Sequence, residues 1–101
     1  MLITPTVDLS GNGGAAYVLF DSASWTGDGT VLQLYHASDG STFSQVGSDI
    51  TLTESMATYS NDITGGTANS KIRFYVANTS SERYYLDNIY VMQPGTAPDY
   101  V

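Results

Sequence analysis

The residues with the clearest chemistry in this sequence are aromatic and polar side chains at alternating positions of two predicted strands. Gln33 and Tyr35 are two residues apart in one run, and Arg73 and Tyr75 in another. Because strand side chains point to opposite faces in turn, each pair shares the face opposite the apolar residues. Aromatic rings stack on the C–H faces of sugars, and amide and guanidinium groups hydrogen-bond to sugar hydroxyls. The pattern predicts a contact surface for a carbohydrate or for a protein partner, since Tyr, Trp and Arg are enriched in protein interfaces.

Trp25 completes this set of candidate contact residues. It lies in the segment Ser24-Trp25-Thr26-Gly27, at the end of a predicted strand or in the loop that follows it. Cross-strand pairing of aromatic residues is common on sheets and needs no ligand. For each tyrosine of the set, pairing of this kind is therefore the alternative interpretation.

The sequence contains no pattern typical of an enzyme. The chain has no Cys, and its single histidine, His36, has no nucleophile motif beside it. A glycosidase needs two facing carboxylates, but Asp28 and Asp39 stand next to glycines, where Asp is favoured by turn geometry. We therefore expect a non-enzymatic protein in which His36 is a hydrogen-bonded strand residue.

These side chains must be positioned by short strands. Apolar or alternating runs recur every 8–12 residues between Gly, Asn and Asp turn signals, which is typical of a β-sandwich or barrel. The predicted strands are Leu2–Leu9, Ala16–Ser24, Thr30–Ser38, Thr42–Val46, Ile50–Thr53 after a break at Gly47-Ser48, Met56–Ile63, Lys71–Ala77 and Tyr84–Met92. Pro5 places the first strand at an edge or breaks it, and Asp39-Gly40 predicts a two-residue or bulged hairpin tip.

The last two runs are predicted to form an antiparallel pair. Their alternation is regular except that the step from Leu86 to Ile89 is odd, which would turn Ile89 to the wrong face. One extra residue at Asp87-Asn88, a β-bulge, restores the phase.

This closing stretch also carries a family resemblance. Arg73-Phe74-Tyr75, followed after about ten residues by Tyr-Tyr-Leu-Asp-Asn-Ile-Tyr-Val, resembles the end of carbohydrate-binding modules of the CBM4/CBM9 kind and their galactose-binding-like relatives. The segments Thr51–Thr53 and Ala57–Ser60 resemble the part that precedes it, so the likeness covers the last half of the chain. It implies an all-β, antiparallel jelly-roll β-sandwich of seven to eight strands.

The resemblance further implies a structural calcium ion, with Asp87 at the position of one ligand. Calcium requires several oxygen ligands. The alternative is that Asp87 accepts hydrogen bonds from backbone N–H groups opened by the bulge. Apart from this ion, no cofactor is expected.

Composition limits the partners. The 101 residues suit one domain, and 3 Lys+Arg against 10 Asp+Glu give a net charge of −7. Such a charge disfavours nucleic acid and anionic membranes. The chain also lacks an apolar run long enough to span a bilayer and lacks an N-terminal signal-peptide pattern.

We divide the chain into a sandwich, residues 1–92, and an extended C-terminal arm, residues 93–101. Pro94 and Pro98 restrict the arm, and Tyr100 and Val101 give its tip apolar surface, which favours docking on another chain. The sequence therefore favours a structural or decorating component of an extracellular assembly, above all a phage virion, whose partners are other protein chains or copies of itself. The alternative is a carbohydrate-binding module of a secreted glycoside hydrolase or adhesin, with a cell-surface or plant polysaccharide as ligand.

Overall fold

The computed structural model describes residues 2–24, 30–76, 84–93 and 99–100. In chain order the strands are β1 (Leu2–Ile3), β2 (Ala16–Ser24), β3 (Val31–Ala37), β4 (Ser44–Thr51), β5 (Ala57–Ile63), β6 (Lys71–Val76), β7 (Tyr84–Met92) and β8 (Asp99–Tyr100). A single 3₁₀ turn, Asn12–Gly14, precedes β2. The described ranges hold no helix with the length and apolarity needed to cross a membrane.

The strands form two antiparallel four-stranded sheets. The first sheet has the order β1-β6-β3-β4, and the second has the order β5-β2-β7-β8. Their inner faces supply one apolar core, so the predicted all-β class with two antiparallel sheets is confirmed. The fully buried members with the largest side chains are Phe20, Phe74, Leu9, Leu32, Leu34, Leu52, Ile63 and Ile72. Period-2 alternation explains this core, because Ile72 and Phe74 point inward while Arg73 and Tyr75 are half-buried on the other side.

The predicted pairing of the last two long strands is wrong. β6 lies between β1 and β3 in the first sheet, whereas β7 lies between β2 and β8 in the second. Both hydrogen-bonding edges of β6 are therefore occupied by strands other than β7. Alternation identifies the inward residues of each strand, but it contains no information about which strand lies beside it.

The predicted bulge in β7 is confirmed. Leu19 of β2 is opposite Tyr90, yet Asp21 is opposite Asp87, so β7 has one residue more than β2 in this interval. Asn88 takes the left-handed conformation with φ 51°, which Asn tolerates better than most residues. As a result Leu86, Ile89 and Val91 all pack against the core.

Three expected strands differ from the structure, because two of them are joined in β4 and the first is shorter than predicted. β4 runs without a break from Ser44 to Thr51, because Gly47, at φ 69°, forms a bulge where a break was predicted. The register confirms this irregularity between Leu32 and Leu34 on the neighbouring strand.

The first strand is only two residues long and lies at the sheet edge, as the Pro5 argument predicts. Beyond it the segment is joined to its neighbour by an isolated bridge at Val7 and by single backbone hydrogen bonds from Thr4 N to Ile72 O and from Leu9 N to Thr67 O.

Asp39-Gly40 lies in the turn between β3 and β4, as predicted, but the connection is longer than a two-residue turn. Residues 38–43 separate the two strands. Gly40 has φ 79°, and Asp39 Oδ1 accepts hydrogen bonds from the backbone N–H groups of Ser41 at 2.8 Å and Thr42 at 2.7 Å. The Asp therefore stabilises the turn through its side chain.

The predicted arm begins inside the domain. Gln93 is buried, and its Nε2 lies 3.1 Å from Leu9 O, 2.6 Å from Gly11 O and 3.2 Å from Ala15 O. Asp99–Tyr100 pairs with Val91 and Tyr90 of β7. At these two residues the segment predicted as an extended arm therefore extends the second sheet of its own domain.

Candidate ligand-binding face

Four of the five predicted contact residues come together on the outer face of the first sheet. Gln33 is opposite Tyr75 and Tyr35 is opposite Arg73 on the paired strands β3 and β6. All four are half-buried. The fifth, Trp25, lies outside the described residues. These two cross-strand pairs form one continuous patch. Together with Phe43, Gln45 and Asp49, which contact them, we call it the Arg73 patch.

Arg73 lies at the centre of three aromatic rings. Its guanidinium carbon is 4.3 Å from the ring centroid of Tyr35, 4.7 Å from that of Phe43 and 6.0 Å from that of Tyr75. Tyr35 and Tyr75 meet edge to face, with centroids 6.4 Å apart. Cation–π attraction at these distances restrains the guanidinium before any ligand arrives.

A second group of side chains in the patch converges on one carboxylate. Asp49 Oδ1 accepts hydrogen bonds from Gln45 Nε2 at 2.8 Å and from Gln33 Nε2 at 2.9 Å. The Tyr35 hydroxyl donates to Gln33 Oε1 at 2.7 Å, so one chain of hydrogen bonds joins the ring system to the carboxylate. The Gln45 and Gln33 amides hold the pKa of Asp49 below its ordinary value.

Among the described residues, no carboxylate neutralises Arg73, the cation of the patch. In the part of the chain that the structure describes, Arg73 makes no ion pair with Asp or Glu, and its buried Nε has no hydrogen-bond acceptor. A buried donor without an acceptor is rare in folded proteins, because it loses its hydration without compensation. In Arg73 this donor belongs to the guanidinium that lies over the rings of Tyr35 and Phe43.

Sequence reasoning missed Phe43, Gln45 and Asp49. Phe43 lies in the connection just before β4, and Asp49 follows the Gly47 bulge. The strand break predicted at Gly47-Ser48 separated Asp49 from Gln45 and hid their common face. The available signal was the glycine itself, since an isolated Gly in a strand pattern also indicates a bulge.

The predicted arm residues contribute little that can be placed. Pro94, Pro98 and Val101 lie outside the described residues, and for Tyr100 only the strand pairing with Tyr90 is described.

His36 is a hydrogen-bonded strand residue, as predicted. Its Nε2 is 2.9 Å from Ser70 Oγ, and burial lowers the pKa of the imidazole. Ser70 is fully buried and its Oγ also accepts a hydrogen bond from Thr67 N at 2.9 Å. This pair joins β3 to the segment before β6, and the serine is closed to a substrate.

Asp87 has the contact of the alternative interpretation, because its Oδ1 accepts a hydrogen bond from Asn88 N at 2.8 Å in the bulge. Its cross-strand neighbour Asp21 accepts from Thr58 Oγ1 at 2.6 Å and Asn88 Nδ2 at 2.8 Å. These two bonds, that from Asn88 first, lower the pKa of Asp21. Within the described ranges, no three His, Asp or Glu side chains converge as metal ligands would.

The described residues also line two shallow concavities. One, of about 270 Å³, opens between β4 and β5 and is lined by His36, Gln45 and Asp62 among others. The other, of about 330 Å³, lies on the outer face of the second sheet beside Asp21, Asn88 and Tyr90. The first adjoins the Arg73 patch through Gln45, which contributes to both.

Comparison with protein-family models, with curated proteins and with solved structures finds no match for this chain.

Proposed function

We propose that this protein is a non-enzymatic carbohydrate-recognition domain of an extracellular protein and that the Arg73 patch is its binding face. The observation that carries the proposal is the union, on one sheet face, of partly exposed aromatic rings with fixed hydrogen-bonding groups. Tyr35, Phe43 and Tyr75 supply rings, and Gln45 and Asp49 supply an exposed amide and carboxylate.

These contacts assign different roles to the aromatic rings and to Asp49 in binding a sugar. The rings offer apolar surface to the C–H face of a sugar. Asp49 uses one oxygen for two amide donors, so its other oxygen is left to accept from a sugar hydroxyl. Because the hydrogen-bonded chain fixes these groups in advance, less side-chain entropy is lost on binding.

The strand pairing supports a jelly-roll topology for this domain. β2 pairs with β7 in the second sheet, and β3 pairs with β6 in the first. The β3–β6 pair is therefore nested in sequence inside the β2–β7 pair but lies in the opposite sheet. This is the arrangement of a long hairpin folded over onto itself.

A second candidate function is a structural component of an extracellular assembly. One observation favours it: Leu2 and Ile3, on the edge strand β1, are 40% and 42% exposed. Exposed apolar residues on a strand edge suit a protein partner. Ile3 is opposite Arg73, so this contact would cover part of the same face.

Binding to an array of neutral and acidic glycans, followed by calorimetry, tests the proposal. Tyr35→Ala and Phe43→Ala should each weaken binding about tenfold or more, as for aromatic contact residues. Tyr85→Ala is the matched control, because Tyr85 is 46% exposed but lies on the second sheet. Glycan binding that is unaffected by both Tyr35→Ala and Phe43→Ala would exclude this face.

The assembly candidate is tested in parallel by measuring the oligomeric state and partner capture of Leu2→Ser/Ile3→Ser and of a chain ending at residue 93. If no glycan binds and these changes abolish association while the fold is kept, the assembly function replaces the proposed one.

A further inference from the structure

Charge is divided unevenly between the two sheets. Among the residues whose side chains the structure describes, the strands of the first sheet carry Lys71, Arg73 and Asp49, whereas those of the second carry Asp21, Asp62 and Asp87 and no Lys or Arg. Two of the three cations in the chain are therefore on one sheet, although the net charge is −7. Lys71 and Arg73 are two residues apart on β6 and so share its outer face. The first sheet is locally positive in an acidic protein.

The guanidinium of Arg73 is restrained by aromatic rings but has no anionic partner among the described residues. Three rings surround its guanidinium, at 4.3, 4.7 and 6.0 Å, and no described Asp or Glu pairs with it. A restrained guanidinium presents its N–H donors in a fixed fork, which fits the two oxygens of a carboxylate.

We infer that the Arg73 patch selects sugars that carry a carboxylate, that is, hexuronate residues. This inference rests on the proposed carbohydrate function and specifies its ligand class. The sugar carboxylate pairs with Arg73 and its ring stacks on the adjacent aromatic surface.

Asp49 distinguishes a uronate from other anions. It lies in the same patch, bonded to Gln33 and Gln45, and an ionised carboxylate can only accept hydrogen bonds. A ligand must therefore place hydroxyl donors beside its anionic group. A hexuronate has one carboxylate and several hydroxyls on one ring. A phosphate chain has the charge without these donors and would be repelled by Asp49.

The test compares polymers that differ only in the carboxylate. Polygalacturonate, its carboxyl-reduced neutral form and alginate are measured against the intact chain by calorimetry. The acidic polymer should bind at least about tenfold more tightly than the reduced one, as expected for a charge-assisted bidentate pair. The uronates of alginate differ in stereochemistry from galacturonate. Binding of both polymers would show that the patch accepts uronates in general, and binding of polygalacturonate alone would show that it selects galacturonate.

Two variants separate charge from packing. Arg73→Gln should remove the preference for the acidic polymer, and Arg73→Lys should retain only part of it, since Lys lacks the planar fork. Ser60→Asp is the matched control, because it makes the net charge more negative by the same amount as Arg73→Gln, at an exposed position of the second sheet. It should leave the preference unchanged, which excludes a net-charge effect. Circular dichroism checks that each variant folds.

The outcomes distinguish this inference from the function on which it rests. Equal binding of acidic and reduced polymer, dependent on Tyr35 and Phe43, would overturn the uronate preference and retain the carbohydrate function. Absence of binding to every glycan would overturn both. A preference for the acidic polymer that persists in Arg73→Gln would show that another group reads the carboxylate, and would also overturn the inference.

Discussion

The rings of Phe20 and Phe74 meet edge to face between the two sheets, with their centroids 5.2 Å apart and their planes at 81°. Phe20 belongs to β2 and Phe74 to β6, and both are fully buried. Phe20 also stacks on Tyr59 of β5 at 5.6 Å. Aromatic side chains thus link three strands from the two sheets at the centre of the core.

Phe74→Ala is expected to lower the free energy of unfolding by about 3–5 kcal/mol, because it removes a large buried side chain and leaves a cavity between the sheets. Urea denaturation measures the change. Tyr75→Ala is the control, since its side chain lies on the opposite face of β6, and it should cost clearly less. A loss below about 1 kcal/mol for Phe74→Ala would contradict the central position of this ring.

Gln93 is expected to matter for stability because its single amide nitrogen is near three backbone carbonyls, those of Leu9, Gly11 and Ala15. Gln93→Leu leaves these carbonyls without that donor and should cost about 1–3 kcal/mol, measured by urea denaturation. An unchanged denaturation midpoint would show that the carbonyls find other donors.

Gln93→Glu should make that cost depend on pH. A carboxylate facing three carbonyl oxygens is disfavoured when ionised, so the pKa of the introduced carboxyl group would be raised in the folded state. The variant should then lose stability as pH rises above about 4.3, the ordinary value for a glutamate side chain. Gln93→Leu is the control, since it adds no titrating group. Equal midpoint shifts for both variants between about pH 4 and pH 7 would contradict the prediction.

Asn88 should tolerate glycine better than alanine, and alanine better than valine, because its φ is 51°. Left-handed backbone costs ordinary residues about 1–2 kcal/mol, and β-branched residues more. Thermal unfolding of the three variants gives the order. Asn88→Gly should also raise the pKa of Asp21, since the Asn88 amide is the largest cause of its lowering. Equal stability of the glycine and valine variants would contradict the bulge geometry.

The carboxylate of Asp49 should titrate below its ordinary pKa, because Gln45 and then Gln33 donate to its ionised form. Since the folded pKa is lowered, any stability that these bonds give is complete above about pH 3.9 and is lost as pH falls through the lowered value. Gln45→Ala should move the pKa upward, as followed by ¹³C NMR of the carboxyl carbon. Asp39, whose pKa is lowered chiefly by Thr42 and Ser41, is the internal reference and should not move.

Period-2 alternation predicted part of the fold well. It identified Ile72 and Phe74 as inward residues, and the phase error at Ile89 located the bulge at Asn88. It could not place β6 and β7 in different sheets. Which strands become neighbours depends on how the apolar faces of the two sheets pack on each other. The short sequence separation between strands 71–76 and 84–92 therefore does not decide whether they pair.

The residues of the candidate site were likewise predicted only in part from the sequence. Gln33 and Tyr35 lie on one regular strand, and Arg73 and Tyr75 on another, so the outward face of each pair followed from spacing. The pairing of β3 with β6, which brings the two pairs together, did not. Phe43 and Asp49 come from the connection before β4 and from the residues after Gly47, where the backbone departs from regular alternation. Their positions depend on the turn at Asp39 and on the bulge, which spacing does not specify.

Among the strand residues whose side chains the structure describes, the unequal charge of the two sheets contributes an electric dipole directed across the sandwich. Packed sheets are about 10 Å apart, so three described carboxylates on one side and two cations with one carboxylate on the other separate charge across the sandwich. In the field of an acidic surface, such a body experiences a torque as well as repulsion. This contribution favours an approach with the first sheet toward the surface, so the distribution of charge over the fold acts together with the net charge on the orientation of encounter and on its dependence on salt.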